Sequence, residues 1–237
     1  MAHEQIQANC RWFATRLMGG VATAGNAPGV SRSVVNRDTA ESAAFRCLCY
    51  AAFSELMASP HEVDVRAGLL ARVGLGETLD ALLAEVGSAE LAQLQAEYSG
   101  LFEVGSDGPP VPIREDLQTG QRAGTREDVV RFYDYFGYVL DEKFAWQPDH
   151  LSLELEFMHY LCFRESEQGE GQLSYQLAQL DFAERHLMSW VPRFAAQVEQ
   201  LAPGSLYARV VAALRDFLDE DLAWQQSTIS LGDIPPS

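Results

Sequence analysis

The sequence predicts an all-α protein. Apolar residues recur at three- and four-residue steps along most of the chain, the patterned segments stop at glycine or proline, and no stretch reads as paired strands or a strand–helix–strand unit. With 237 residues, 47% of them hydrophobic, the chain can form one large helical domain with a real core. No internal repeat of roughly 30–45 residues interrupts that reading.

Residues 1–37 are expected to be a weakly structured tail, because Gly19, Gly20, Gly25, Pro28 and Gly29 fall among small and polar residues. Residues 4–18 carry the pattern of a short helix. Asp38 and Thr39 suit a cap for a helix to about Met57, with Phe45, Leu48, Cys49, Ala52, Phe53 and Leu56 on its buried stripe. Further helices fit Glu62–Val73 and Thr78–Val86, each closed by glycine. Ser88 suits the cap of a fourth, in which Leu91, Leu94, Tyr98, Leu101 and Phe102 share a face and Gly105 supplies the stop.

A long loop is expected near residues 105–125, where glycines and prolines replace any periodic pattern; loops of that length tend to be functional. Helical pattern returns over Arg126–Leu140. Pro148 and Asp149 fit the first turn of the next helix, where a missing N–H and a negative charge are both favourable. A helix over Leu173–Trp190 is expected to break at Pro192 and resume to Leu201, and Ser205 caps a last helix from Leu206 to about Gln225. The domain organisation is thus a tail (1–37), one helical domain (38–227) and a loose C-terminal tail (228–237).

The formal net charge is −17, which argues against nucleic acid as a partner. The excess is concentrated between residues 88 and 170, with 17 acids against 6 bases. A field of one sign steers cationic partners, although it also serves plain solubility. No apolar run reaches the ~18–20 residues that span a bilayer. The first residues lack the apolar core of a secretory signal, and Ser31-Arg32-Ser33 is the nearest approach to a double arginine, so a cytoplasmic location is expected. Cys10, Cys47, Cys49 and Cys162 fit a reduced compartment, and the Cys47/Cys49 spacing suits neither zinc nor a redox pair.

Catalytic signatures are missing: no nucleophile elbow, phosphate loop, dinucleotide fingerprint or HExxH occurs. Glu156 and His159 form one Glu-x-x-His, half of what a di-metal carboxylate bundle needs, and no second copy exists. His159 reads instead as a surface residue, His61 and His186 as incidental. His150 and Glu154, one turn apart, could pair. A metal-dependent helical enzyme using Glu156 and His159 is therefore an outlying alternative. The stronger candidate is a recognition surface combining Tyr98, Phe102, Trp146 and Phe157 with the carboxylates of Glu97, Glu103, Asp107, Glu115, Asp149 and Glu154. Apolar area and carboxylates together suit a peptide with an apolar run and arginines; Tyr98 and Phe102 equally suit ordinary core positions.

Two stretches carry a resemblance. Glu97-Tyr98-x-x-Leu101-Phe102 followed by Gly108-Pro109-Pro110 and Glu115, and Pro148-Asp149-His150-Leu151 followed by Glu154 and Phe157-Met158, resemble the paired signature of the TorD/DmsD family of redox-enzyme maturation chaperones. The resemblance covers about residues 40–225. It implies a TorD-like multi-helix bundle and a non-catalytic cytoplasmic chaperone. Such a chaperone binds the twin-arginine signal peptide of a dimethyl-sulfoxide-reductase-class molybdoenzyme, assists insertion of the molybdenum cofactor and delays export. It implies Glu97, Tyr98, Phe102, Glu115, Trp146, Pro148, Asp149, His150 and Glu154 as peptide-binding residues. It also implies no permanently bound cofactor, transient contact with molybdopterin guanine dinucleotide, and a monomer or domain-swapped dimer. Val111-Pro112-Ile113-Arg114 departs from the common pattern before Glu115, in the direction of the branch serving enzymes for dimethyl sulfide, ethylbenzene, chlorate or selenate. The related nitrate-reductase-type assembly chaperone is the alternative.

Overall fold

The computed structural model describes residues 39–72, 74–103, 108–120, 124–167 and 172–228. The tail expected to residue 37, the short helix expected at 4–18, the Asp38 cap, the Gly105 stop, the candidate carboxylate Asp107 and the last nine residues lie outside the described residues. The helices are α1 (Thr39–Leu56), α2 (Arg66–Leu69), α3 (Glu77–Ser88), α4 (Leu91–Phe102), α5 (Glu115–Gln118), α6 (Thr125–Phe136), α7 (Leu151–Ser166), α8 (Gln172–Phe182), α9 (Met188–Leu201) and α10 (Leu206–Thr228). A 3-10 turn covers Glu142–Phe144, and a π segment, Ala183–Leu187, joins α8 to α9. The fold class expected from periodicity is the one observed. Among the described residues there is no strand; one antiparallel bridge pairs Arg114 with His150.

α7 is the axis of the bundle. From Leu151 to His159 every side chain is buried, polar ones included, because α1, α8 and the 110–118 segment wrap it on several sides. A helix enclosed all round loses the one-sided stripe of a surface helix. α1 lies antiparallel on it, with Ser54 Oγ donating to the Ser152 carbonyl at 2.8 Å and Cys47 beside His159. Its buried Arg46 makes ion pairs to Asp221 of α10 and, at 3.5 Å, to Glu165 of α7. Tyr50 donates to Asp221 at 2.7 Å, while Gln176 and Gln179 of α8 donate to Glu165 at 3.0 and 2.9 Å. Burying an arginine with two carboxylates is tolerable because each oxygen finds a donor.

Several expected elements differ. The 62–73 helix shrinks to the four residues of α2, where Arg66 bonds back to Asp64 and Arg72 pairs with Glu55 at 2.5 Å. Ser88 ends α3 instead of capping α4, whose N-cap is Glu90. The Pro/Gly stretch contains α5. Gly137 closes α6 at φ 69°, with Tyr138 N–H returning to the Tyr133 carbonyl at 2.8 Å, so the helix stops four residues early. Pro148 stands outside α7, whose cap is His150. The break expected at Pro192 falls earlier. Pro192 lies inside α9, and the π segment ends just before Met188, whose carbonyl a proline at 192 cannot satisfy. Ser205 does cap α10, accepting from Ala208 N–H at 3.1 Å.

Candidate functional site

The two signature stretches meet. The Glu115 N–H donates to the Asp149 carbonyl at 3.0 Å and the Leu151 N–H to the Ile113 carbonyl at 3.1 Å, one rung of antiparallel pairing outside any sheet. The Asp149 side chain locks it: Oδ2 accepts the Asp116 N–H at 3.0 Å, at the first turn of α5, and Oδ1 takes Arg114 Nη2 at 3.1 Å. Arg126 Nε lies 3.7 Å away. Asp149 is fully buried, so these partners are what make its charge tolerable there.

His150 is the N-cap of α7. Its Nδ1 accepts the Ser152 N–H at 3.2 Å, and its Nε2 faces the Tyr98 hydroxyl at 3.3 Å. Burial foremost pushes the imidazole down to about 4, Arg114 adding to it against Asp149's opposing pull, so the ring is neutral and Nε2 carries the proton toward Tyr98. The expected pairing with the Glu154 side chain is replaced by this cap. Glu154 lies a turn on, fully buried, accepting from Trp190 Nε1 at 3.3 Å with its other oxygen unpartnered. Burial first, and then the negative charges of Glu115 and Asp149, hold it well above the usual carboxylate range. Its protonated form is thereby favoured in the middle of the site.

Glu115 turns the other way. It is buried, and its Oε2 accepts from His186 Nδ1 at 2.8 Å while Ser189 reaches Oε1 at 3.4 Å. The π segment delivers His186 here, while one helical turn further on Trp190 reaches Glu154. With Nδ1 spent on Glu115, His186 Nε2 has no hydrogen-bond partner and sits 3.6 Å from Asp128. Glu115, Asp128, His186 and Ser189, with Thr119, Thr125 and Arg185, line a polar cup of about 480 Å³. Through Asp128 and Arg185 the cup continues into an apolar trough of about 690 Å³ between α6 and α8, floored by Phe132, Phe136, Leu177 and Ala178.

The remaining sequence-named residues fall elsewhere. Glu97 is half-buried and accepts the Tyr207 N–H at 3.3 Å, a cap for α10. Tyr98 and Phe102 are core, meeting each other and Tyr207 edge to face at 5.0–5.6 Å. Pro148 is buried, its carbonyl held by the Tyr133 hydroxyl at 2.9 Å. Trp146 alone of the nine is exposed, at 59%, with Arg114 5.9 Å over its ring and its carbonyl held by Arg126. Sequence reasoning missed His186, Asp128 and Trp190; the spacing of 186 and 190, one helical turn, was the available signal. It also misplaced His159, which is buried with Nδ1 2.9 Å from the Cys47 carbonyl and 3.1 Å from its sulfur, beside Glu156. Among the described residues no group of three or more His, Cys, Asp or Glu is placed to hold a metal ion.

An all-helical bundle whose two signatures close on each other through Asp149 defines the class of the TorD-like maturation chaperones. The sequence profile of the nitrate reductase delta subunit family matches residues 71–196, a span that includes both signatures and the whole cup, and the chain belongs to that family. Similar proteins include the selenate reductase assembly chaperone of Thauera selenatis and the chlorate reductase assembly chaperone of Ideonella dechloratans, each 34% identical over 53% of this chain and 67% of theirs. The chaperone TorD of Vibrio parahaemolyticus is 27% identical over 69% of this chain and 82% of its own. These relatives are named as chaperones, not as enzymes. A redox enzyme maturation protein from Archaeoglobus fulgidus shares the fold, with TM-score 0.51 and 20% identity over 83% of this chain and 99% of that one. No helix among the described residues is long and apolar enough to cross a membrane.

Proposed function

We propose that this chain is a cytoplasmic maturation chaperone that binds the twin-arginine signal peptide of a dimethyl-sulfoxide-reductase-class molybdoenzyme subunit. It holds the apoenzyme while the molybdenum cofactor is inserted, contacts that cofactor only transiently, and delays export. The observation that carries the reading is the polar cup opening into the apolar trough, with Glu115 of the first signature as its floor. A guanidinium entering the cup meets the Asp128 carboxylate, beside the unpartnered His186 Nε2. The apolar run that follows the arginines lies along Phe132, Phe136 and Leu177. Asp149, Glu154, His150 and Glu97 act from behind, holding the frame. Trp146 offers an exposed aromatic face, its carbonyl held by Arg126, the neighbour of Thr125 in the cup's wall.

The test is fluorescence anisotropy with a labelled synthetic peptide carrying two adjacent arginines and about fifteen apolar residues. Asp128→Asn is expected to weaken binding tenfold or more and Trp146→Ala several-fold, with unchanged thermal melting, and higher salt to weaken it further. Affinity unchanged in both variants rejects the cup. The family's own description favours a second reading, an assembly chaperone for a nitrate-reductase-type client. In that case co-purification from the native cells yields a large subunit lacking the paired arginines, and the synthetic peptide binds no better than its double-alanine counterpart.

A further inference from the structure

We propose that Arg185 is the cup's own ligand: its guanidinium holds the Asp128 carboxylate that a client's arginine would take, and a client binds by exchanging its guanidinium for the chain's own. The exchange rests on the function proposed above; the self-occupancy stands on geometry alone.

Arg185 belongs to the π segment and stands where the two cavities join, in the wall of both. Its guanidinium makes three contacts there. Nη2 pairs with Asp128 Oδ2, Nη1 reaches Asp181 Oδ2 at 3.3 Å, and Cζ lies 5.3 Å over the Phe132 ring. A carboxylate for its N–H groups and an aromatic face for its plane are what a guanidinium selects. Asp128 belongs to α6 and Asp181 to α8, so one cation bridges the two walls of the trough. Consecutive residues of an α-helix point ~100° apart. From the π segment, however, Arg185 and His186 both come to the same oxygen of Asp128, His186 Nε2 standing 3.6 Å from it.

This occupant is removable. The Arg185 side chain is 48% exposed, against 5% for Arg46 in the buried network of α1. Ion pairs at such exposure are weak. A displaced Arg185 also keeps a partner, because Asp181 lies four residues before it, the spacing of side chains that meet on a helix. Asp128 passes from one guanidinium to another and keeps a cation throughout. Arg131 is no equivalent occupant: it lies 3.7 Å from Asp128, beyond hydrogen-bond distance, and is 77% exposed.

An internal competitor lowers the apparent affinity of a ligand by the fraction of sites it leaves open. Arg185 therefore weakens the binding of any guanidinium that uses Asp128, and it leaves the contribution of an apolar run along Phe136 and Leu177 as it is. Release of the client is eased for the same reason, since Arg185 takes the carboxylate back. The rival role is a plain tie between α6 and α8, in which Arg185 only supports the cup.

The experiment has two arms, both on the full chain. The first is NMR of the chain alone with 15N-labelled arginine, the Arg185 guanidinium being assigned by its loss in Arg185→Gln. Expected is a signal that shifts in Asp128→Asn; a signal that stays in place overturns the self-occupancy. The second is anisotropy with the double-arginine peptide and its double-alanine counterpart. Arg185→Gln is expected to tighten the double-arginine peptide about fivefold and to leave the double-alanine peptide within about twofold of its wild-type affinity. In the Asp128→Asn background the same substitution is expected to gain nothing. Arg131→Gln removes the same charge from the same rim, and its gain is expected to be clearly smaller. Equal gains from Arg131→Gln and Arg185→Gln overturn the exchange in favour of a general field effect. An Arg185→Gln variant that binds no tighter than wild type overturns it in favour of the plain tie. A double-arginine peptide that binds neither protein better than the double-alanine one removes the function and the exchange with it, while the NMR arm still decides whether Arg185 holds Asp128.

Discussion

The Asp149 carbonyl accepts the Glu115 amide at 3.0 Å, and in the same residue the carboxylate accepts the Asp116 amide at 3.0 Å. One aspartate thus closes the two signature stretches upon each other, through its backbone and its side chain. Its second oxygen holds Arg114. That is a structural task, and it places Asp149 behind the cup's floor.

Asp149→Ala is therefore expected to destabilise the fold, by about 3–5 kcal/mol, because Arg114 and the first turn of α5 lose their buried partner. Urea denaturation measures it. A variant that melts like the wild type removes Asp149 from the framework and returns it to the surface role that its sequence context suggested. Loss of peptide binding in Asp149→Ala, taken alone, does not identify a contact; Asp128→Asn and Trp146→Ala carry that test.

Glu154 should behave as a neutral acid. Glu154→Gln keeps the shape and the acceptor for Trp190, and it removes a group that burial, Glu115 and Asp149 hold protonated. The linkage has a definite sign: a raised carboxylate keeps a proton in the folded state that the unfolded chain releases, so stability falls as pH rises above the unfolded value. The glutamine variant is expected to gain stability relative to the wild type as pH rises from 4.5 to 6.5. A stability difference that stays constant between those pH values, by denaturant midpoint, contradicts a raised Glu154.

These carboxylates also show where sequence reading reached its limit. The all-helical class, the Ser205 cap and the meeting of the two signatures were legible, because periodicity and stop residues are local signals. Burial of Glu154, Glu156 and His159 was not. Leu151, Leu155, Met158 and Cys162 suggest one apolar face, and only packing on several sides of α7 puts the polar faces inside as well. α5 was hidden among glycines and prolines, since it forms from a tertiary contact with Asp149 and not from propensity. His186 was missed because the π segment that aims it at Glu115 leaves no mark in residue type.

Arg46 gives a control far from the cup. It ties α1 to Asp221 and Glu165, and Arg46→Met leaves both buried acids without their cation. The expected loss is about 3–5 kcal/mol in denaturant unfolding. The double variant Arg46→Met with Asp221→Leu should recover part of it, because the uncompensated charge goes too. Additive losses in the pair dismiss the ion pair as the cause.

Beside the falling contribution of Glu154, the pH dependence of stability below 6.5 contains two opposed contributions. His150 is pushed down to about 4, mainly by burial. Between pH 4 and 6.5 the unfolded chain binds a proton that the folded one refuses, so stability rises with pH and is lost on acidification. Glu156 is pushed up to about 7, again mainly by burial, against the pull of Tyr138 and His159. Between pH 4.5 and 7 the folded chain keeps a proton that the unfolded one releases, so stability falls as pH rises. Across 4.5–6.5 the two slopes oppose each other. His159, raised to about 8 because Cys47 and Glu156 outweigh its burial, is charged in both states over most of that window and adds little. Glu156→Gln deletes one slope and keeps the other. Its slope of stability against pH is expected to be more positive than the wild type's, by about one proton, or roughly 1.4 kcal/mol per pH unit. Denaturant midpoints at pH 4.5, 5.5 and 6.5 decide it: diverging curves support a protonated, buried Glu156, and parallel curves assign that carboxyl an ordinary titration in the folded protein.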